Sequence, residues 1–324
     1  HHIGGGQHSS LTDKESVNCM KGVAALLIVF SHAHYYVQDL GVLKIFKPFG
    51  YIGVSLFFFC SGYGVMKKYI TDSNYLNGFL AKRFKGVYIP YMIATVLWFL
   101  VNAIVYRNNY DGNAVFSVIV NSVFLIKTSL PFAWYVLAVL IWYLVFFMIA
   151  RLFKDSKKIL FCLFVLNVMW YFIGINLEIA SFYYNGTCCL IIGSAIAEVE
   201  NKINIPERLI MSTSVMAFGI SILALYFFGA KSSILYTIVI AFSSTAFVIC
   251  LFTVGYKFEF YSATTRMLGN YSYEIYLTQG ISYLFAKEIH TRFDWLFWCV
   301  FALSMIGFIS MERMAKNKIC RLGV

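Results

Sequence analysis

The chain has 324 residues, of which 60% are hydrophobic and only 13% charged, and its mean hydropathy is +0.73. A soluble domain has no use for so much apolar surface, so these values exclude one and indicate an all-α, polytopic protein of the lipid bilayer. The formal net charge of +11 lies in short clusters between apolar runs, a pattern that topology and anionic lipid explain without nucleic acid.

Residues 1–10, with His1, His2, His8 and Gly4-Gly5-Gly6, read as an expression-tag remnant, which leaves residues 11–324 as one transmembrane domain. The remaining histidines are His32, His34 and His290. Ten apolar segments follow, at 17–38, 49–70, 87–106, 132–150, 159–175, 183–199, 209–229, 233–255, 270–289 and 295–314. Each is near spanning length, though the fifth and sixth are short. A further stretch from Ala114 to Ile126 is too short to cross and reads as a re-entrant or interfacial helix. With the N-terminus inside, Lys67, Lys68, Lys82, Arg83 and Lys85 share an inner loop, and Arg313, Lys316, Lys318 and Arg321 form an inner tail. The positive-inside rule then predicts a multi-pass cell-membrane protein with both termini cytoplasmic.

The first segment carries Lys21 and His32, eleven positions apart. At ~100° and ~1.5 Å per residue they project from nearly one side, with a rise of ~16 Å. That is about half the hydrocarbon thickness, which predicts a basic residue at the inner surface below an imidazole near mid-membrane. The bland reading is a histidine hydrogen-bonded to a neighbouring helix and a lysine snorkelling to headgroups. The functional reading is a pathway or reaction site, with His32 taking a proton from a hydroxyl or briefly carrying an acyl group. His34 lies ~200° round the helix from His32 and cannot share its task.

In the second segment Gly53, Ser61, Gly62 and Gly64 favour close helix packing, with a site role for Ser61 the minority view. The basic run Lys82-Arg83-Phe84-Lys85 leads to Pro90. It satisfies the positive-inside rule and could also grip phosphates of a cytosolic donor. Trp134-Tyr135 opens the fourth segment, as interfacial aromatics do. The ninth opens on Leu268-Gly269-Asn270-Tyr271-Ser272-Tyr273-Glu274, dense in hydroxyls, with Glu274 either a helix-start charge or the partner of a cation from another helix. The eight cysteines have no metal-ligand spacing and read as packing, so no metal is expected. There is no triad order, glycine-rich nucleotide loop or HExxH. Buried acids look too scarce for an energy-coupled transporter.

Together these motifs resemble acyltransferase family 3, ten-helix membrane enzymes that acylate extracytoplasmic glycans and related acceptors. Lys21 to His32 matches the family's basic-x10-His signature, followed by Gly22, Ala24 and Ala25. Phe57, Phe58, Ser61, Gly62 and Tyr63 match a second element, and the basic loop before Pro90 resembles the family's arginine pair. Trp134-Tyr135 and the run from Leu268 to Leu277 also fit. Three positions depart: Lys21 stands for an arginine, Gly86 for the second arginine of the pair with Lys85 the nearest substitute, and Gln279 for a histidine.

The resemblance implies transfer of an acyl group, foremost acetyl, from cytosolic acyl-CoA to a hydroxyl of an extracytoplasmic carbohydrate or cell-envelope acceptor. On that reading Arg83, Lys85 and Lys82 hold the acetyl-CoA phosphates, and His32 and Lys21 are catalytic. Ser61, Tyr63, Tyr273, Trp134 and Glu274 line the substrate path. Rival readings are a proton-coupled transporter of an acyl compound or lipid-linked sugar, and a non-catalytic sensor on the same fold. Acceptor identity and oligomeric state, a homodimer included, are open at this level.

Overall fold

A computed structural model describes residues 14–106, 112–124, 128–200, 207–228, 233–257, 262–289 and 294–321. Residues 1–10, read above as a tag remnant, and His290 lie outside the described residues. Every element among the described residues is helical. In chain order they are α1 (Lys14–His32), α2 (Gly50–Thr71), α3 (Phe79–Arg83), α4 (Ile89–Tyr106), α5 (Gly112–Val123), α6 (Trp134–Leu152), α7 (Ser156–Asn176), α8 (Cys188–Val199), α9 (Glu207–Phe228), α10 (Ser233–Lys257), α11 (Ala263–Asn270), α12 (Ser272–Glu288) and α13 (Asp294–Arg321).

The chain is a multi-pass membrane protein, but the ten expected spans are not equivalent. Seven helical stretches among the described residues are long and apolar enough to cross a bilayer. The sixth expected segment gives its first residues to a turn around Ser181–Tyr183, so α8 has only 12 residues. The ninth is broken after Asn270, and the 17-residue α12 that follows is rich in hydroxyls. Such a helix is tolerated where protein rather than lipid surrounds it. Most of α12 is indeed buried, between α1, α4 and α13. The stretch expected to be interfacial forms the 12-residue α5.

Two glycine contacts set the centre of the bundle. A Cβ on Gly62 of α2 would strike the backbone carbonyl of Leu190 in α8, and one on Gly193 would strike that of Phe59. The small residues of the second segment therefore do what packing predicts. Gly62→Ala is expected to cost about 1–3 kcal/mol through overpacking, read as a lower thermal midpoint of the detergent-solubilised protein. An unchanged midpoint would mean the two helices can separate freely. At α1, a Cβ on Gly22 would lie 2.8 Å from the Gly269 nitrogen. This brings α11 against α1 beside Asn18 and Lys21.

Candidate functional site

Lys67, Lys68, Arg83 and the C-terminal residues of α13 mark one end of the bundle as basic, and a cavity of about 480 Å³ lies there. Its volume is within the ~300–1,000 Å³ range of small-molecule sites. Lys21 and Asn18 of α1 form one wall, with Asn18 Nδ2 donating to Asn270 Oδ1 at 2.8 Å. From α2, Ser61, Gly64, Val65 and Lys68 contribute a second wall. They stand at i, i+3, i+4 and i+7, one helical stripe.

The third wall comes from the end of α3 and the turn that follows it. Arg83 lines the cavity with its guanidinium carbon 4.6 Å from the Tyr143 ring centre and 5.1 Å from that of Phe79. Its Nη2 donates to the Tyr75 hydroxyl, while Nε is buried without a partner. Burial pushes the Tyr75 hydroxyl above the usual phenol range, with Arg83 pulling the other way, so the phenol stays neutral and accepts. Phe84–Tyr88 form a π-helical turn. Pro90 has no N–H for the carbonyl of Gly86 four residues back, which favours the wider turn. Gly86 and Val87 are thereby presented to the cavity.

The fourth wall is the start of α12. Tyr273 lines the cavity and donates to the Val87 carbonyl at 2.9 Å. Glu274 is buried and accepts from Arg313 Nε at 3.0 Å, the cross-helix cation of the two readings above. Because that carboxylate is already paired, Lys21, Lys68 and Arg83 leave the cavity net positive, which suits phosphate groups.

Of the sequence-predicted residues, Lys21, Ser61, Arg83, Tyr273 and Glu274 meet in this cavity. Lys85 lines an adjoining depression with Leu80, Phe84 and Leu140, which shares Arg83 and Tyr143 with the cavity, and Lys82 is exposed and lines neither. Tyr63 donates to Glu200 Oε2 at 2.9 Å, beside the Lys67–Glu200 ion pair, and so braces α2 against the end of α8. Trp134 packs 5.2 Å from Phe182 and 5.8 Å from Tyr183.

His32 lies beyond the cavity, as the last residue of α1. Continuous helix was expected to residue 38, but Ala33–Tyr35 tightens into a 3-10 turn. His32 Nδ1 is 3.1 Å from Gln279 Oε1, and the ring stacks on Phe132 at 3.8 Å and 10°. Phe132 holds φ at 65°, a left-handed conformation rare for an aromatic residue and found where surroundings enforce it. The Tyr276 hydroxyl donates to the Phe132 carbonyl. Tyr276 also packs edge-on to Tyr135, whose hydroxyl is 3.1 Å from Ser61 Oγ in the cavity. A continuous series of contacts thus runs from cavity to imidazole, through Tyr135, Tyr276 and Phe132.

The family model for the acyltransferase-3 domain matches residues 14–311. The chain belongs to acyltransferase family 3. No curated protein and no solved structure gives a significant match. The matched region contains every cavity wall, His32 and Gln279, so the acyltransferase domain and the polar centre of the bundle coincide.

Sequence reasoning missed Lys68, Phe132 and the contact of Gln279 with His32. Lys68 was recoverable, since it continues the stripe that starts at Ser61. Phe132 had no local signal. The bundle also buries more acid than expected, with Glu198, Glu274 and Glu312 all at 7% exposure or less. Helix faces near span ends decide this, and linear position does not reveal them.

Proposed function

We propose that this acyltransferase moves an acetyl group from cytosolic acetyl-CoA to a hydroxyl of an extracytoplasmic carbohydrate or cell-envelope acceptor. The observation that carries the reading is the cationic cavity at the basic end, joined through packed aromatic side chains to one imidazole. The positive-inside rule places that end in the cytoplasm, where the donor is. Lys21, Lys68 and Arg83 bind the donor's phosphates, and its thin pantetheine arm threads past Ser61 by parting the packed Tyr135, Tyr276 and Phe132 side chains to reach His32. The acceptor hydroxyl enters from the opposite side.

His32 acts as general base. It takes the hydroxyl proton as the acceptor oxygen bonds to the thioester carbonyl carbon. The C–S bond then breaks, and the thiolate leaves and regains a proton as CoA thiol. The test is inverted vesicles carrying the protein, supplied with radiolabelled acetyl-CoA. Label should enter the envelope fraction with matching release of free thiol. Movement of label across the membrane with the thioester intact would identify a transporter instead.

The open space at Gly86 makes a further prediction. Nothing lies within 4 Å of a Cβ built there, and the residue faces the cavity. Gly86→Arg should therefore fold normally and add one charge-assisted contact of about 1.5 kcal/mol, or roughly tenfold in Kd for acetyl-CoA. Calorimetric titration of the purified protein reads this directly, and unchanged affinity would place the phosphates elsewhere.

A further inference from the structure

Gln279 is fully buried, so each end of its amide must find its partner in protein. Its Nε2 donates to the Tyr276 carbonyl at 3.0 Å. A backbone carbonyl only accepts, so turning the amide over would set two acceptor oxygens against each other with no proton between them. The amide orientation is therefore determined by α12 itself, and Oε1 is the atom left to face His32 Nδ1 at 3.1 Å. An oxygen there accepts, which requires a proton on Nδ1.

We infer that Gln279 is a positioning residue that holds His32 in the Nδ1–H tautomer, leaving Nε2 as its basic nitrogen. The inference rests on the proposed role of His32 as base. When Nε2 gains a proton the ring still carries Nδ1–H, so the same hydrogen bond serves both states and nothing need rotate. A neutral amide orients the ring without the pull that a carboxylate exerts on an imidazolium. Phe132, stacked on one face, fixes the ring plane.

The surrounding groups are consistent with this. His34 and Tyr35 are the titratable neighbours on the ring's own segment, and His34 Nδ1 is occupied by the Ser31 carbonyl at 2.6 Å. On α12 the Tyr276 and Tyr283 hydroxyls are committed to the carbonyls of Phe132 and Val29. The segment before α6 presents Phe132.

Two measurements test the inference. Nitrogen NMR of the full chain labelled in histidine, with His32 assigned by loss of its signals in His32→Gln, should show protonated Nδ1 and bare Nε2 in the neutral ring. The reverse pattern overturns the inference without reference to activity. In the vesicle assay, Gln279→Leu should lower kcat about tenfold with KM for acetyl-CoA unchanged. Gln279→Glu should restore turnover and move the acid limb of the rate profile upward by roughly one to three pH units, because a carboxylate favours the charged ring. Wild-type kcat and pH profile in both variants would show that Gln279 only packs. Activity persisting in His32→Ala would instead remove the base assignment, with the NMR result on the tautomer standing by itself.

Discussion

Replacing His32 by alanine is expected to lower acetyl transfer by about a hundred- to ten-thousand-fold, the range for loss of a positioned general base. Binding of acetyl-CoA should survive, because no cavity wall includes His32. The combination separates a chemical role from a packing one. Loss of the stacked imidazole leaves Phe132 and Gln279 without their partner, so a variant that has merely unfolded must be excluded by size-exclusion chromatography and by retained donor affinity. Full transfer by a folded His32→Ala protein would refute the assignment of the base.

Arg83→Ala is expected to act in the opposite sense, raising KM for acetyl-CoA by about 10- to 100-fold with a smaller effect on kcat. A charge-assisted contact to phosphate is worth about 1.5–3 kcal/mol, and ground-state binding lost uniformly appears in KM. Arg83→Lys should recover little. The guanidinium sits in the corner formed by the mutually perpendicular Phe79 and Tyr143 rings and is hydrogen-bonded to Tyr75, and an ammonium cannot reproduce that geometry. Added salt should raise KM more in the wild type than in Arg83→Ala, narrowing the difference between them, since the variant has one fewer charge to screen. An unaltered KM would move the donor site away from this cavity.

Much of the cavity was legible in the chain before any coordinates. Lys21, Ser61, Arg83, Tyr273 and Glu274 carry polar or charged chemistry inside or beside apolar segments, where such groups are costly and stand out. Helical periodicity extends Ser61 to Lys68. The distinction among Lys82, Arg83 and Lys85 was not legible, because three basic residues in four positions satisfy the positive-inside rule equally well. Only the fold separates them: Arg83 at the end of α3 and Gly86 in the π-helical turn before Pro90 line the cavity, whereas Lys85 lines an adjoining depression that shares Arg83 with it. Tyr63 is a similar case: Phe57 and Ser61 of its motif line the cavity, yet its own face of α2 meets Glu200.

Composition and segment length by themselves determined the all-α membrane class, since lipid requires every backbone polar group to be satisfied within a helix or closed barrel. Motif order determined the family, and loop charge the expected orientation. Only the tertiary structure decided that α1 ends at His32, that Phe132 covers the imidazole with a left-handed backbone, and that Gln279 faces Nδ1. The reason is physical. Periodicity reports which residues share one helix face, whereas a tautomer or a ring stack depends on atoms from helices hundreds of residues apart, such as His32 and Gln279, which are 247 positions apart.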